Sequence, residues 1–288
     1  MNGVLIIDKP KGITSRDVVN KVVKVFNTKK VGHTGTLDPI ATGVLVICVG
    51  SATKLVDELT STNKEYISTV ELGTLTDTLD SDGTITREEN CIKDKEEILK
   101  VLNSFIGEYD QEVPKYSAVK ISGRKLYEYA RNNEDIILPK RKVKINSIDI
   151  LGDIEYKNNK TIFKFKCNVS KGTYIRSLIR DIASKLNTIG IMTDLRRISQ
   201  GKFRIDDSIN IDEISKDKLI NIKDVLDIKS IELDSSIEKK VLNGAILDNI
   251  YNSDAILFTK NNEAIALYKL EHNKLRSYKM FKGGNLWH

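Results

Sequence analysis

Val44-Leu45-Val46-Ile47-Cys48-Val49 is an unbroken apolar run, rich in β-branched residues, with the signature of a buried strand. It follows directly on Gly32-His33-Thr34-Gly35-Thr36-Leu37-Asp38-Pro39-Ile40-Ala41-Thr42-Gly43, a tight loop of small and turn-forming residues that contains one carboxylate. Pro39 biases Asp38 away from the right-handed helical region, so the loop should not collapse into a helix there. Gly32, Gly35 and Gly43 permit backbone conformations that bring the chain close to a ligand. A lone acid is thereby presented from a shaped loop beside a rigid element, which suits a precisely placed catalytic group. The alternative is an Asx-turn, in which the Asp38 side chain bonds only its own backbone.

Around this centre the chain reads as α+β. Val4 to Ile7 has strand character, and Ser15 is placed to cap a helix carrying Val18, Val19, Val22, Val23 and Phe26 on one face. Glu65 to Leu72 alternates as a strand. Lys95 to Ile106 has helical spacing. Ile121-Ser122-Gly123-Arg124 is a hairpin signal, followed by a short helix over Lys125 to Asn132. Arg141 to Leu151 and Thr161 to Val169 read as strands, and Tyr174 to Leu186 as a helix with Ile175, Leu178, Ile179, Ile182 and Ala183 inward. Together they predict a large mixed or antiparallel sheet covered by helices. The segment from Ile205 to Lys240 is acidic and polar with short helical pieces. Beyond it, Ala255-Phe258, Ala264-Tyr268 and Leu275-Tyr278 read as short strands separated by turns at Asn261-Asn262 and His272-Asn273.

Composition removes several classes of function. No apolar run approaches the roughly 18 residues of a membrane span. The N-terminus lacks the pattern of a signal peptide, and a cytoplasmic location is expected. Cys48, Cys91 and Cys167 are far apart and form no CxxC pair, so neither a disulfide framework nor a zinc site is expected. The net charge of +6 is modest but unevenly spread. Residues 164–204 carry ten Lys/Arg against two Asp/Glu, residues 115–144 carry nine against three, and residues 71–114 carry four against twelve. Two basic tracts on a mixed chain fit either a nucleic-acid surface or simply solvated faces.

The loop around Asp38 resembles the catalytic motif of the pseudouridine synthases, and within them of the bacterial tRNA pseudouridine-55 synthase (TruB) family. Other motifs resemble that family in order and rough spacing over residues 3–205. They are Gly3-Val4-Leu5-Ile6-Ile7-Asp8-Lys9-Pro10-Lys11-Gly12-Ile13-Thr14-Ser15, then Lys64-Glu65-Tyr66, then Gln111 to Arg131. Val169-Ser170-Lys171-Gly172-Thr173-Tyr174-Ile175-Arg176-Ser177-Leu178 and Leu195-Arg196-Arg197 complete the set. One departure is visible: Val113-Pro114 stands where the family usually has two prolines. The resemblance implies a pseudouridine synthase-type catalytic domain over residues 1–230, with a large mixed, mainly antiparallel sheet and an RNA-gripping insertion near 110–145. It implies a small β-rich PUA-like RNA-binding domain over 231–288.

The same resemblance assigns roles. Asp38 becomes the reacting carboxylate, either as nucleophile or as electrostatic partner of a cationic sugar. Glycosidases need two acids because they must also activate water; an isomerase must exclude water, and one acid suffices. Arg176 becomes the fixed cation that keeps Asp38 ionised, since arginine stays charged and offers a planar fork; its alternative is an RNA phosphate contact. Tyr66 is expected to stack on the flipped base and to take part in removing its C5 proton. Leu195 closes the pocket wall, Lys9 and Pro10 shape its floor, Tyr174 lies near the base, and His33 fills the space the base leaves. Arg141, within the basic tract, grips the backbone of the tRNA T arm. The expected partner is tRNA, with no membrane, no guide RNA and a monomeric chain, and no metal or other cofactor is called for. A pure RNA-binding module would need none of Asp38, Arg176 and Tyr66. The run Thr78-Leu79-Asp80-Ser81-Asp82-Gly83 partly matches a calcium loop, but it begins with Thr and lacks a preceding helix. It is expected to be an ordinary surface turn.

Overall fold

The fold, taken from a computed structural model, is described for residues 1–132 and 134–281. Strands β1 (Gly3–Lys9), β2 (Val31–His33), β3 (Thr42–Val49) and β4 (Lys64–Leu72) are followed by β5 (Gly107–Glu112), β6 (Lys140–Lys157), β7 (Lys160–Val169) and β8 (Gly190–Gln200). They form one sheet in the order β1-β3-β8-β4-β7-β6-β5, with β2 on β3 and the short pair Ile209–Asn210 flanking β1. Pairing is antiparallel except between β3 and β8 and between β1 and Ile209–Asn210. The sheet is therefore mixed and mainly antiparallel, as expected. The span between β5 and β6 is an excursion from one long antiparallel pair, in which Arg141 faces Gln111. It holds a small Lys120–Ile121/Arg124–Lys125 hairpin and the helix Leu126–Arg131.

Helices α1 (Ser15–Phe26), α2 (Lys95–Asn103) and α3 (Ile175–Lys185) cover one face of the sheet. Val18, Val22, Ile98, Leu102, Leu178 and Ile182 meet Leu5, Ile7, Leu45, Ile47, Phe163 and Phe165 there. Alternation along β1 and β3 sends Val4, Ile6, Val44, Val46 and Cys48 to the opposite face, where Leu257, Leu267 and Phe281 cover them. This two-sided burial explains why Val44–Val49 is apolar without interruption.

A second sheet supplies that cover. Its strands are β9 (Lys229–Glu232), β10 (Leu247–Asp248), β11 (Ala255–Lys260), β12 (Glu263–Glu271) and β13 (Lys274–Met280), in the order β9-β11-β12-β13-β10. Asn261-Asn262 and His272-Asn273 all have positive φ, the conformation that two-residue hairpin turns demand. β9 spans the boundary expected after residue 230, and residues 282–288 of the expected C-terminal domain lie outside the described residues.

Two local expectations change. The cap of α1 is Thr14, whose hydroxyl accepts from the Asp17 amide (3.1 Å) while Asp17 accepts from the Thr14 amide (2.9 Å). Ser15 is instead buried and used elsewhere. The second helix stops at Asn103 rather than Ile106; Phe105 remains in the core and Ile106 is exposed.

Strand β8 carried no periodic signal, because Arg197, Ser199 and Gln200 are among its buried residues. It nevertheless lies between β3 and β4, and its parallel contact with β3 pairs Arg197 with Gly43. Gly43 has φ +101°, and a Cβ there would sit 2.2 Å from the Arg197 carbonyl oxygen. The close approach at Gly43 is thus to backbone rather than to a ligand, and Gly32 has no positive φ. Gly43→Ala should destabilise the chain by at least about 2 kcal/mol, combining left-handed strain with a backbone clash. A urea midpoint equal to wild type would show that the β3–β8 contact yields freely.

Candidate active site

The loop bearing Asp38 is fastened by buried side chains reaching in from β1, α1 and β8. Arg197, fully buried, donates through Nε to the Val44 carbonyl (2.6 Å) and through Nη2 to the Gly35 carbonyl (3.0 Å). Gln200 donates to the Thr34 carbonyl (3.1 Å). The Ser15 hydroxyl accepts from the Leu37 amide (2.9 Å) and donates to the Leu37 carbonyl (3.2 Å). Beyond Asp38, the Pro39 carbonyl accepts from the Gly12 amide (2.8 Å) and from the Lys9 ammonium (3.5 Å). Asp38 Oδ1 and Oδ2 bond elsewhere.

Both meet Arg176. Its Nε lies 2.9 Å from Asp38 Oδ2, and Nη2 donates to Oδ1 at 3.2 Å. This two-point contact excludes the Asx-turn for Asp38. The rest of the guanidinium is also engaged: Nη1 donates to the Thr78 carbonyl (2.8 Å) and lies 3.6 Å from Asp80 Oδ2, while Nη2 donates to the Tyr116 carbonyl (3.0 Å). The Arg176 side chain is 6% exposed and Asp38 34% exposed, so the cation is held inside while one side of the carboxylate remains open to a substrate.

The turn dismissed as an ordinary surface feature is part of this centre. Asp80 is buried, accepts from the Thr78 hydroxyl (2.6 Å) and the Asp82 amide (3.2 Å), and faces Arg176. Burial raises its pKa, Asp38 adds to that effect, and Thr78 and Arg176 oppose it. Leu79 between them has φ +64°, an unusual conformation for a bulky residue, and the Met192 amide and carbonyl hold the turn against β8. No spacing rule marks Asp80, because its partner is 96 positions away in sequence (176 − 80).

The position of Arg176 depends on Gln111, a second residue the sequence does not advertise. Its buried amide accepts from the Tyr174 amide (2.8 Å) and donates to the Tyr174 carbonyl (3.1 Å), fixing the chain where α3 begins.

The remaining expected site residues distribute as follows. Lys9 is fully buried, and its ammonium donates to the carbonyls of Pro10 (2.9 Å) and Ile13 (2.7 Å) as well as Pro39, so it is a strut beneath the loop. Burial lowers its pKa to about 8 although Asp38 acts in the opposite direction. Pro10 is exposed beside it. Tyr66 and Leu195 lie on the helix-covered face of β4 and β8 and share a core cluster with Leu37 and Ile40 of the loop. No hydrogen bond joins Tyr66 to Asp38 or Arg176 among the described residues. His33 is half-buried, accepts from the Gly35 amide at Nδ1 (3.3 Å), and has a lowered pKa from burial and then from Arg197 and Arg16. Tyr174 is half-buried within the fields of Arg141, Asp38 and Arg176. Arg141 is exposed on β6.

Residues 23–175, more than half of the chain, match the family described as TruB family pseudouridylate synthase (N terminal domain). The chain belongs to the TruB family. It is 42% identical to a Mesoplasma florum protein named tRNA pseudouridine synthase B, over 98% of both chains. Relatives with the same name from Caldicellulosiruptor saccharolyticus (46% identical, 85% of this chain and 83% of the relative) and Clostridium tetani (40%, 93% and 95%) agree. Among solved structures, a chain of an H/ACA RNP bound to a substrate RNA containing 2′-deoxyuridine overlays with a TM-score of 0.67 at 25% identity, covering 99% of this chain and 88% of that one. A chain of a Cbf5-Nop10-Gar1 complex gives 0.68 at 26%, covering 97% and 85%. The fold is thus the pseudouridine synthase fold of the TruB family, with a curled C-terminal sheet of PUA-like form.

Two outcomes follow for this TruB-family site. Arg176→Met strands Asp38 and Asp80 without their cation and should cost about 2–4 kcal/mol in denaturant unfolding, below the full value for a buried pair because Asp38 is a third exposed. An Arg176 that served only to hold phosphate would leave stability unchanged. Lys9 generates a pH signature. Its folded pKa of about 8 lies below the unfolded 10.5, so between them the unfolded chain holds a proton the folded chain has lost. Wild type should therefore gain stability relative to Lys9→Met as pH rises from about 8 to 10.5; parallel stability curves for the two would refute it.

Proposed function

We propose that this chain isomerises uridine 55 in the T arm of tRNA to pseudouridine, with Asp38 as the reacting carboxylate. The observation that carries the reading is the two-point Asp38–Arg176 pair, with the guanidinium buried and the carboxylate a third exposed. Full-length similarity to proteins named tRNA pseudouridine synthase B supplies the substrate class.

The reaction breaks the N1–C1′ bond, turns the base and joins C5 to C1′; the proton lost from C5 is balanced by one gained at N1. Arg176 orients the Asp38 carboxylate through its two-point contact and sets a fixed positive charge beside it. Tyr66, on the packed face of β4, stacks on the base and takes part in removing the C5 proton. Leu195 and Tyr174 complete the pocket wall, and Lys9 and Pro10 hold its floor. The uridine must leave the stack to reach Asp38, which costs a few kcal/mol. His33, kept neutral by burial, occupies the vacated space as an apolar plane rather than as an acid or base.

The RNA backbone is gripped by Arg141 and the excursion between β5 and β6, with the β-rich unit over 231–288 as an auxiliary RNA surface. We take the chain to act as a monomer without a guide RNA, because the excursion supplies its own substrate contacts. No helix among the described residues is long and apolar enough to cross a membrane, which fits a cytoplasmic tRNA enzyme.

Asp38→Asn should retain fold and tRNA binding yet form no pseudouridine, because an amide of the same size replaces the reacting carboxylate. Incubation of each purified protein with an unmodified T-arm stem-loop, followed by mapping of pseudouridine, gives the answer. Turnover by the Asn variant would remove Asp38 from the chemistry, and a wild-type product at another uridine would redefine the substrate.

A further inference from the structure

Arg176 is the second residue of α3, so the fit of its fork to Asp38 depends on where that helix sits along and about its own axis. One strand, β5, fixes both. At the start of the helix, Gln111 accepts from the Tyr174 amide (2.8 Å) and donates to the Tyr174 carbonyl (3.1 Å). Further along it, Arg180 donates to the Glu112 carboxylate (3.0 Å) and to the Glu112 carbonyl (3.3 Å), and pairs with Asp181 beside it (2.8 Å). A helix held at one point can still turn about it; a second point on the same strand removes that freedom. Tyr109 joins the two points. Its hydroxyl accepts from Gln111 Nε2 at 2.6 Å and is hydrogen-bonded to the Asp181 carboxylate. Burial raises the Asp181 pKa, and Arg180 and Tyr109 oppose that effect. The phenol also decides which way the Gln111 amide faces. A carboxylate only accepts, so the Tyr109 proton points to Asp181 and the phenol oxygen is left to accept from Gln111. Gln111 Oε1 must then face the Tyr174 N–H. Reversed, the amide would set oxygen against the Tyr174 carbonyl and nitrogen against its N–H, and at 1% exposure no solvent relieves that mismatch. The Tyr109 ring stands edge-on to buried Phe105 with centroids 5.3 Å apart, which fixes the hydroxyl in place.

We propose that Tyr109 is a positioning residue for the isomerisation: through Gln111 and Asp181 it sets α3 so that Arg176 meets Asp38 with two nitrogens at once. The proposal rests on the reading that the Asp38–Arg176 pair serves pseudouridine formation. No hydrogen bond joins Tyr109 to Asp38 or Arg176 among the described residues, so it acts only through the residues it holds. A small displacement of a reacting group is enough to slow a reaction severely, which is why a hydroxyl outside the pocket bears on the rate.

Tyr109→Phe removes only the hydroxyl and keeps the ring against Phe105. Single-turnover pseudouridine formation at saturating T-arm stem-loop should slow about tenfold, while stem-loop affinity stays within about twofold of wild type. A double-mutant cycle with Gln111→Met shows whether Tyr109 acts through Gln111. In the Met background, Tyr109→Phe should change the rate by less than about twofold, because the residue it acts through is gone. A wild-type rate for Tyr109→Phe, losses that multiply independently in the cycle, or a loss carried by stem-loop affinity overturns the proposal. A second measurement needs no turnover. In the free protein labelled with ¹⁵N-arginine, the Nε–H resonance of Arg176, identified by its absence from Arg176→Lys, reports the bond to Asp38 directly. It should move in Tyr109→Phe; an unmoved resonance overturns the positioning role whatever the rate. If wild type forms no pseudouridine in the stem-loop, the functional reading fails, and the resonance alone then decides whether Tyr109 positions Arg176.

Discussion

A guanidinium can be placed in a protein interior only if its donors are satisfied there, and Arg176 meets that demand by tying together segments remote in sequence. Asp38 comes from the loop before β3, Thr78 and Asp80 from a strained turn stitched to β8, and Tyr116 from the excursion between β5 and β6. Removing the cation would leave the Asp38 and Asp80 carboxylates without their counter-charge in a partly dry space. The arginine is therefore both the fixed counter-charge of Asp38 and the joint at which the Asp38 loop, the turn and the excursion meet.

That joint requires a rigid support, and β8 provides it from inside the sheet. A central strand is usually apolar, yet Arg197 and Gln200 spend their hydrogen bonds on the carbonyls of Gly35, Val44 and Thr34. The loop cannot form ladder pairs of its own over residues 34–41, so its carbonyls would otherwise be orphaned against the core. Buried arginine and glutamine side chains replace the missing ladder. Lys9 does the same from β1 for Pro10, Ile13 and Pro39, and burial weakens its hold on its proton as a consequence.

These arrangements also explain what the sequence made legible. Elements with one apolar stripe, such as α1, α3, β4 and β7, could be recognised by period, and the paired asparagines of the C-terminal sheet identified its turns. β8 could not, because its buried Arg197, Ser199 and Gln200 erase the pattern by which strands are read. Asp38 and Arg176 were found through motifs rather than through periodicity. Asp80 and Gln111 were missed for a single reason: each acts on a residue far away in the chain, and a local pattern contains no record of that partner. Ser15 shows the same effect at short range, since a serine at a helix start is ordinarily a cap, and here Thr14 takes the cap and frees Ser15 to grip Leu37.

The uneven exposure of the Asp38–Arg176 pair bears on why one carboxylate is enough. A fully buried pair would be inert, because the substrate could not reach the acid; a fully exposed one would be screened by water and held loosely. Here the arginine is inside and the carboxylate straddles the boundary. A bound base would cover the open side of Asp38 and exclude the water that would otherwise capture a cationic sugar. On the proposed reading the covering group would be the substrate itself, and the site would close only while a uridine occupied it. An enzyme built in this way needs neither a second acid to activate water nor a separate lid to keep water out.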